Sequence, residues 1–159
     1  MILAIDPGPT ESAYVILDKN LKALEFGKID NSDLKARLGK RNYNIESCAI
    51  EMVASYGMAV GKEVFETVLW IGRFYECAER LFPKPKLVYR KDEKINLCGT
   101  MKAKDSNIIQ ALKDRFGDKG TEKNPGWFYG FSKDIWQAYA VGVTYYDLYI
   151  KPQQSETLN

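Results

Sequence analysis

The chain has 159 residues, 45% hydrophobic and 28% charged, and its 23 Lys and Arg against 21 Asp and Glu leave a formal charge of +2. That is enough chain for one filled core and too little for two ordinary domains. Histidine is absent, which excludes Ser-His and Cys-His nucleophiles, histidine zinc ligands and imidazole bases, and leaves any hydrolytic chemistry to carboxylates, lysines or a metal.

Ile2–Asp6 is a short apolar run closed by Pro7 and Gly8, which stop a strand ladder and turn the chain. Apolar segments 13–17 and 21–26 follow at hairpin spacing around Asp18, Lys19 and Asn20, so the chain is expected to open with three antiparallel strands. Segment 32–40 predicts a short helix. Segment 47–51 (Ser-Cys-Ala-Ile-Glu) predicts a buried fourth strand that, like the first, ends in a carboxylate.

Over 60–82, Val64, Val68, Ile71, Tyr75, Ala78 and Phe82 recur at helical spacings and predict a helix with that stripe against a core, ended by Pro83 and Pro85. A fifth strand is expected at 86–89, a helix at 105–116 closed by Gly117, and a loop over 118–130. The last helix is signalled by Ser132 as its cap, Asp134 in its first turn, and Ile135, Ala138, Gly142, Tyr145 and Tyr149 along one face. Residues 1–150 then form a single domain and 151–159 a flexible tail. This order predicts an α/β fold, a mixed five-stranded sheet with an antiparallel three-strand meander, flanked by helices.

No run of about 18 apolar residues occurs and Met1 leads straight into the first strand, so a soluble, cytoplasmic protein with no membrane partner is expected. Cys48, Cys77 and Cys98 are odd in number and widely spaced, which suits core thiols rather than a disulfide framework or a metal knuckle. Basicity is concentrated: segment 84–104 holds seven Lys and Arg against Asp92 and Glu93, a local +5 that leaves −3 for the rest. Such asymmetry suits a surface facing phosphates.

Three acids occupy special places: Asp6 and Glu51 end strands one and four, and Asp134 opens the last helix. Singly, Asp6 can be a turn residue, Glu51 a solvated strand end and Asp134 a helix-dipole residue. If strands one and four are neighbours, two of the carboxylates converge and need a countercharge, which a divalent cation supplies. Oxygen-only ligands point to Mg²⁺, with Mn²⁺ as a substitute, and metal-assisted phosphodiester hydrolysis needs no histidine.

Gln137, on the same helix face as Asp134, offers a neutral oxygen as a weaker fourth ligand. Lys133 beside the site, and Lys102 and Lys104 at a helix start, are candidates for phosphate contacts, as are Arg90, Lys91 and Lys94 of the basic segment. Tyr56, together with Tyr43, Tyr89, Trp127, Phe128, Tyr129 and Phe131, is placed to stack on unpaired bases or to fill the core.

Four segments, 2–8 (Ile-Leu-Ala-Ile-Asp-Pro-Gly) with Tyr14, Ala49-Ile50-Glu51 with Val53 before a long helix, 99–109 with its lysines, and 134–141, together resemble the RuvC family of Holliday-junction resolvases in the RNase H-like superfamily. The resemblance implies an RNase H-like fold and a homodimeric, Mg²⁺-dependent endodeoxyribonuclease that cuts four-way and other branched DNA in recombination, repair or DNA processing. It implies that Asp6, Glu51 and Asp134 are catalytic metal ligands and that Lys102 or Lys104 contacts DNA. Helix 60–82 is the expected dimer interface.

Two departures stand out. The family usually has a second acid, or a His followed by an acid, where this chain has Asp134 and then Gln137. The family's aromatic wedge beyond the glutamate falls on Ala54, with Tyr56 as a substitute. A divergent member, such as one carried by a phage and working in the host cytoplasm, fits both. Ile5 to Thr10 also resembles the first phosphate loop of actin-like ATPases and sugar kinases, but those need two domains closing on a nucleotide. A non-catalytic junction-binding module is the remaining alternative.

Overall fold

The computed structural model describes residues 1–39, 44–55, 57 and 59–156, of which 154–156 by backbone alone. Its strands are β1 (Ile2–Asp6), β2 (Glu11–Leu17), β3 (Ala23–Asp30), β4 (Ser47–Met52) and β5 (Lys86–Tyr89). The helices are α1 (Asn31–Gly39), α2 (Lys62–Leu81), α3 (Arg90–Cys98), α4 (Asp105–Phe116), α5 (Lys133–Tyr145) and α6 (Lys151–Glu156), with a π-helical stretch, Tyr146–Ile150, joining the last two. The strands lie in the order β3-β2-β1-β4-β5. The first three form the expected antiparallel meander, and β4 and β5 extend it in parallel from β1.

Because side chains alternate along a strand, the sheet separates two cores. Ile2, Ala4, Ala13, Val15, Ala49 and Val88 face α4 and α5, whereas Leu3, Ile5, Tyr14, Ile16, Cys48 and Ile50 face α1 and α2. Continuing each alternation by one residue sends Asp6 and Glu51 to the α5 side. Their side of the sheet is therefore decided by strand register alone.

Helix α5 is apolar all round and buried along 135–145, as a helix enclosed by other elements should be. The loop aromatics before it belong to its packing. Phe128 and Phe131 are buried, Phe128 meets Tyr139 edge-on at 5.1 Å, and Trp127 stacks on Phe116 at 5.5 Å. The buried Tyr139 hydroxyl accepts from Trp127 Nε1 (3.0 Å) and donates to the Leu21 carbonyl (2.9 Å), so the cluster leaves it satisfied. Phe128 and Phe131 are therefore core, Trp127 is partly buried against it, and Tyr129 is exposed.

At Gly142, α5 lies so close to the sheet that a Cβ would sit 2.7 Å from Leu17 Cδ1 and 3.1 Å from Ala4 Cβ. Both neighbours are fully buried. Gly142→Val is therefore expected to destabilise the fold by about 1–3 kcal/mol through overpacking, despite removing a helix-interior glycine. A thermal melt equal to wild type would show that this contact yields.

Several boundaries differ from expectation. Strand β3 runs to Asp30 rather than stopping near Phe26, because Leu21, with φ 65°, sits in the turn and the pairing with β2 continues to Glu11 opposite Asp30. In α2 the buried row is Thr67, Ile71, Phe74 and Ala78, and Val68 faces outward. Thr67 can be buried because its hydroxyl donates to the Glu63 carbonyl at 2.8 Å, so an unexpected polar residue belongs to the inner stripe. Phe65, Val68 and Leu69 are left exposed.

Helix α3 was not expected at all. The chain beyond Lys151 continues as helix to Glu156 rather than fraying at once. Ser132 does precede α5, but its side chain makes no capping hydrogen bond. Among the described residues no helix is long and apolar enough to cross a membrane.

Candidate active site

Strands β1 and β4 run parallel with Ile5 opposite Ile50, so the next residues, Asp6 and Glu51, meet at the same end of two central strands. The turn that ends β1 is pinned. Gly8 N–H donates to Ser12 Oγ (3.2 Å), Ser12 Oγ donates to Asn31 Oδ1 (2.5 Å), and Asn31 Nδ2 donates to the Gly8 carbonyl (2.9 Å). A Cβ at Gly8 would lie 2.4 Å from the Glu11 carbonyl oxygen, so only glycine fits there. The turn that follows Asp6 is thus held by a network joining Ser12 of β2 to Asn31, the first residue of α1.

The two carboxyls are hydrogen-bonded to each other. Burial first, and then the Glu51 charge and hydrogen bond, push the Asp6 carboxyl up to about 9, with Arg90 opposing the rise. Carboxylates this close cannot both stay ionised without positive charge between them.

Strand β5 pairs parallel with β4, Glu51 opposite Val88, and α3 begins directly where β5 ends. That connection brings Arg90 and Glu93 beside the acid pair. Arg90 is 21% exposed and bridges two carboxylates, Nη1 donating to Glu93 Oε2 at 2.5 Å and Nη2 to Asp105 Oδ1 at 2.6 Å. Glu93 is fully buried, and its Oε1 has no hydrogen-bond partner. Burial and the nearby Glu51 charge hold its carboxyl well above the usual range, with Arg90 pulling the other way.

Sequence reasoning missed Glu93, counting it only against the lysines around it. The signal was present: Asp92 and Glu93 sit in the first turn of a segment that ends at Gly99, whose φ of 71° is a left-handed helix stop. Arg90, expected on DNA, is instead engaged by acids inside the site.

Asp134 reaches the same region from the first turn of α5, but Lys28 Nζ holds its Oδ2 at 3.0 Å. This hydrogen bond is the main reason the Lys28 ammonium titrates above its ordinary value. Asp6 pairs with Ala13 and Ala13 with Lys28, so the lysine lies two strands from Asp6 in one row across the sheet. It was missed because β3 was expected to end before it. Gln137 is buried and its Oε1 lacks a partner. Among the described residues, no three Asp, Glu, Cys or His side chains are disposed to hold an ion as they stand.

The phosphate-contact candidates are spread around this centre. Lys102 and Lys104 are exposed before α4, where Asn107 Oδ1 accepts the Lys104 N–H at 2.8 Å, and Lys133 is exposed beside Asp134. Lys91 is exposed with its ammonium 5.7 Å from the Tyr89 ring centre, while Lys94 is half-buried. Tyr56 and Tyr43 lie outside the described residues.

A mixed five-stranded sheet in this strand order with helices on both faces is an RNase H-like fold. Solved structures agree. Thermus thermophilus RuvC matches with a TM-score of 0.67 at 18% identity, over 92% of this chain and 94% of that one. The T. thermophilus RuvC complex with Holliday junction substrate matches with a TM-score of 0.68 at 14% identity, over 92% and 93%. Fowlpox virus resolvase with substrate Holliday junction DNA matches with a TM-score of 0.51 at 15% identity, over 92% and 99%. By sequence, no family model and no curated protein matches.

Proposed function

We propose that this chain is a structure-selective endonuclease that cuts four-way and other branched DNA with a divalent cation, Mg²⁺ or Mn²⁺ in its place, held by Asp6, Glu51 and Asp134. The observation that carries this is the hydrogen-bonded Asp6–Glu51 pair at the ends of neighbouring parallel strands. The pair sits in a fold shared with two junction resolvases solved on their DNA. The donors fit such an ion. They are all oxygen, Asp6 and Glu51 press on each other for want of countercharge, and the buried Gln137 Oε1 has no hydrogen-bond partner.

Asp6 and Glu51 would hold the ion from the sheet, and Asp134 from α5 once it leaves Lys28. When bound, the cation supplies countercharge and an activated water for attack on a phosphodiester. Lys28, released from Asp134, is left as a cation near the strand to be cut. Lys102, Lys104, Lys133, Lys91 and Lys94 would position the DNA backbone without reading its sequence.

Two symmetric incisions need two active sites, which a C₂ homodimer provides. Phe65, Val68 and Leu69, at 65%, 39% and 55% exposure, form one apolar face of α2 away from the sheet and are our choice for the interface. Leu69→Asp is expected to weaken the dimer on the order of a hundredfold and to turn paired incisions into single nicks. Sedimentation and a supercoiled-cruciform assay read both; an unchanged dimer would place the interface elsewhere.

The deciding experiment is incision of a synthetic four-way junction beside linear duplex and RNA–DNA hybrid, with and without Mg²⁺. Cutting of the junction alone, only with the ion, is expected. Cutting of the hybrid alone would make the protein a ribonuclease H. A second reading, a junction-binding module without catalysis, draws on the engagement of Asp134 by Lys28. It predicts binding without incision under every metal condition.

A further inference from the structure

We propose that Glu93 is a further ligand of the cation site, its free oxygen joining Asp6 and Glu51 from the first turn of α3. The inference rests on the cation reading above. It adds a residue that lies on neither the two central strands nor the last helix.

The placement is unusual for an acid. Glu93 has no solvent exposure, and only one of its two oxygens is used, by Arg90. The other, Oε1, is buried with nothing to accept from. Buried polar atoms are ordinarily paired, and an unpaired carboxylate oxygen is among the costliest to leave so. The fold nevertheless brings this carboxyl to where the charges of Glu51 and Asp6 are felt, since β5 lies alongside β4 and α3 starts at its end. A side chain serving only to anchor Arg90 has no need of a second oxygen left buried and unpaired.

Charge points the same way. Asp6, Glu51 and Glu93 are three acids against one guanidinium, and Arg90 is itself shared with Asp105 at 2.6 Å. One guanidinium cannot balance these acids, and a divalent cation supplies the missing positive charge. Gln137 on α5 adds a neutral oxygen and no charge, so Glu93 supplies from α3 the anionic donor that α5 lacks beyond Asp134.

The test is Mn²⁺ binding to the full chain without DNA, followed by the loss of the free-ion paramagnetic signal and by calorimetry. Glu93→Gln keeps the volume and an oxygen for Arg90, so its metal-free melting temperature should hold while Mn²⁺ affinity falls roughly tenfold or more. Wild-type Mn²⁺ affinity in Glu93→Gln, with affinity lost in Asp6→Asn, would overturn the role of Glu93 and spare the cation reading. Wild-type affinity in Asp6→Asn would overturn the cation reading itself. Should Glu93→Gln fail to fold, Glu93→Asp withdraws the oxygen by one methylene and should also weaken Mn²⁺ binding; unchanged affinity there refutes the proposal.

Discussion

Asp6→Asn is expected to abolish Mg²⁺-dependent junction cleavage, by about a thousandfold or more, equivalent to roughly 4 kcal/mol of barrier. Junction binding should survive or tighten. The reason for the first effect is position: Asp6 ends the central strand, meets Glu51 in register, and is held by the Gly8–Ser12–Asn31 network. No neighbouring carboxylate can replace it, because Glu51, Glu93 and Asp134 each come from a different element and none of them ends β1. The second follows from removing a negative charge that faces phosphates. Measured rates and gel-shift affinities on one junction separate the two, and cleavage within tenfold of wild type would sink the assignment.

The second large effect is on stability. An acid that titrates higher folded than unfolded contributes its stability in full below the unfolded value and loses it as the pH climbs through the folded one. Asp6 goes from 3.8 to about 9, so the metal-free protein should lose stability steadily between about pH 5 and about pH 9. Glu93, raised for the same reason of burial, acts in the same direction. Coupling to Glu51 and local hydration reduce the effect to about 3 kcal/mol.

Melts in a chelator at about pH 5, 7 and 9 should show a falling midpoint, with a shallower fall in Asp6→Asn, where the Glu93 contribution remains. Mn²⁺ should restore the midpoint most at the alkaline end, where the ligands are already deprotonated. A midpoint that rises over this range in chelator would mean that the carboxyls do not confront one another.

The acids at β1 and β4 were legible because each ends a compact apolar run just before the chain leaves the sheet, and a polar residue there signals a strand mouth. Asp134 was legible from the helix start that follows a glycine-rich loop. Glu93 was not, since a lone acid among lysines reads as solvated charge until the helix that buries it is known. The pairing of Arg90 was hidden for the matching reason, since it is made to Glu93 and to Asp105 fifteen residues on. Lys28 depended on four further residues of pairing between β2 and β3, and strand ends are set by the partner strand.

By itself, then, the amino-acid order determined all five strands in outline, most of the helices, the α/β class and the two strand-end carboxylates, because hydrophobic periodicity and Pro-Gly punctuation are local signals. Tertiary structure alone decided that β4 pairs parallel beside β1, that α3 brings Glu93 and Arg90 to the same mouth, and that Lys28 holds Asp134. Those depend on charges and oxygens meeting across long stretches of chain, where pairing and burial, rather than residue type, select the neighbour.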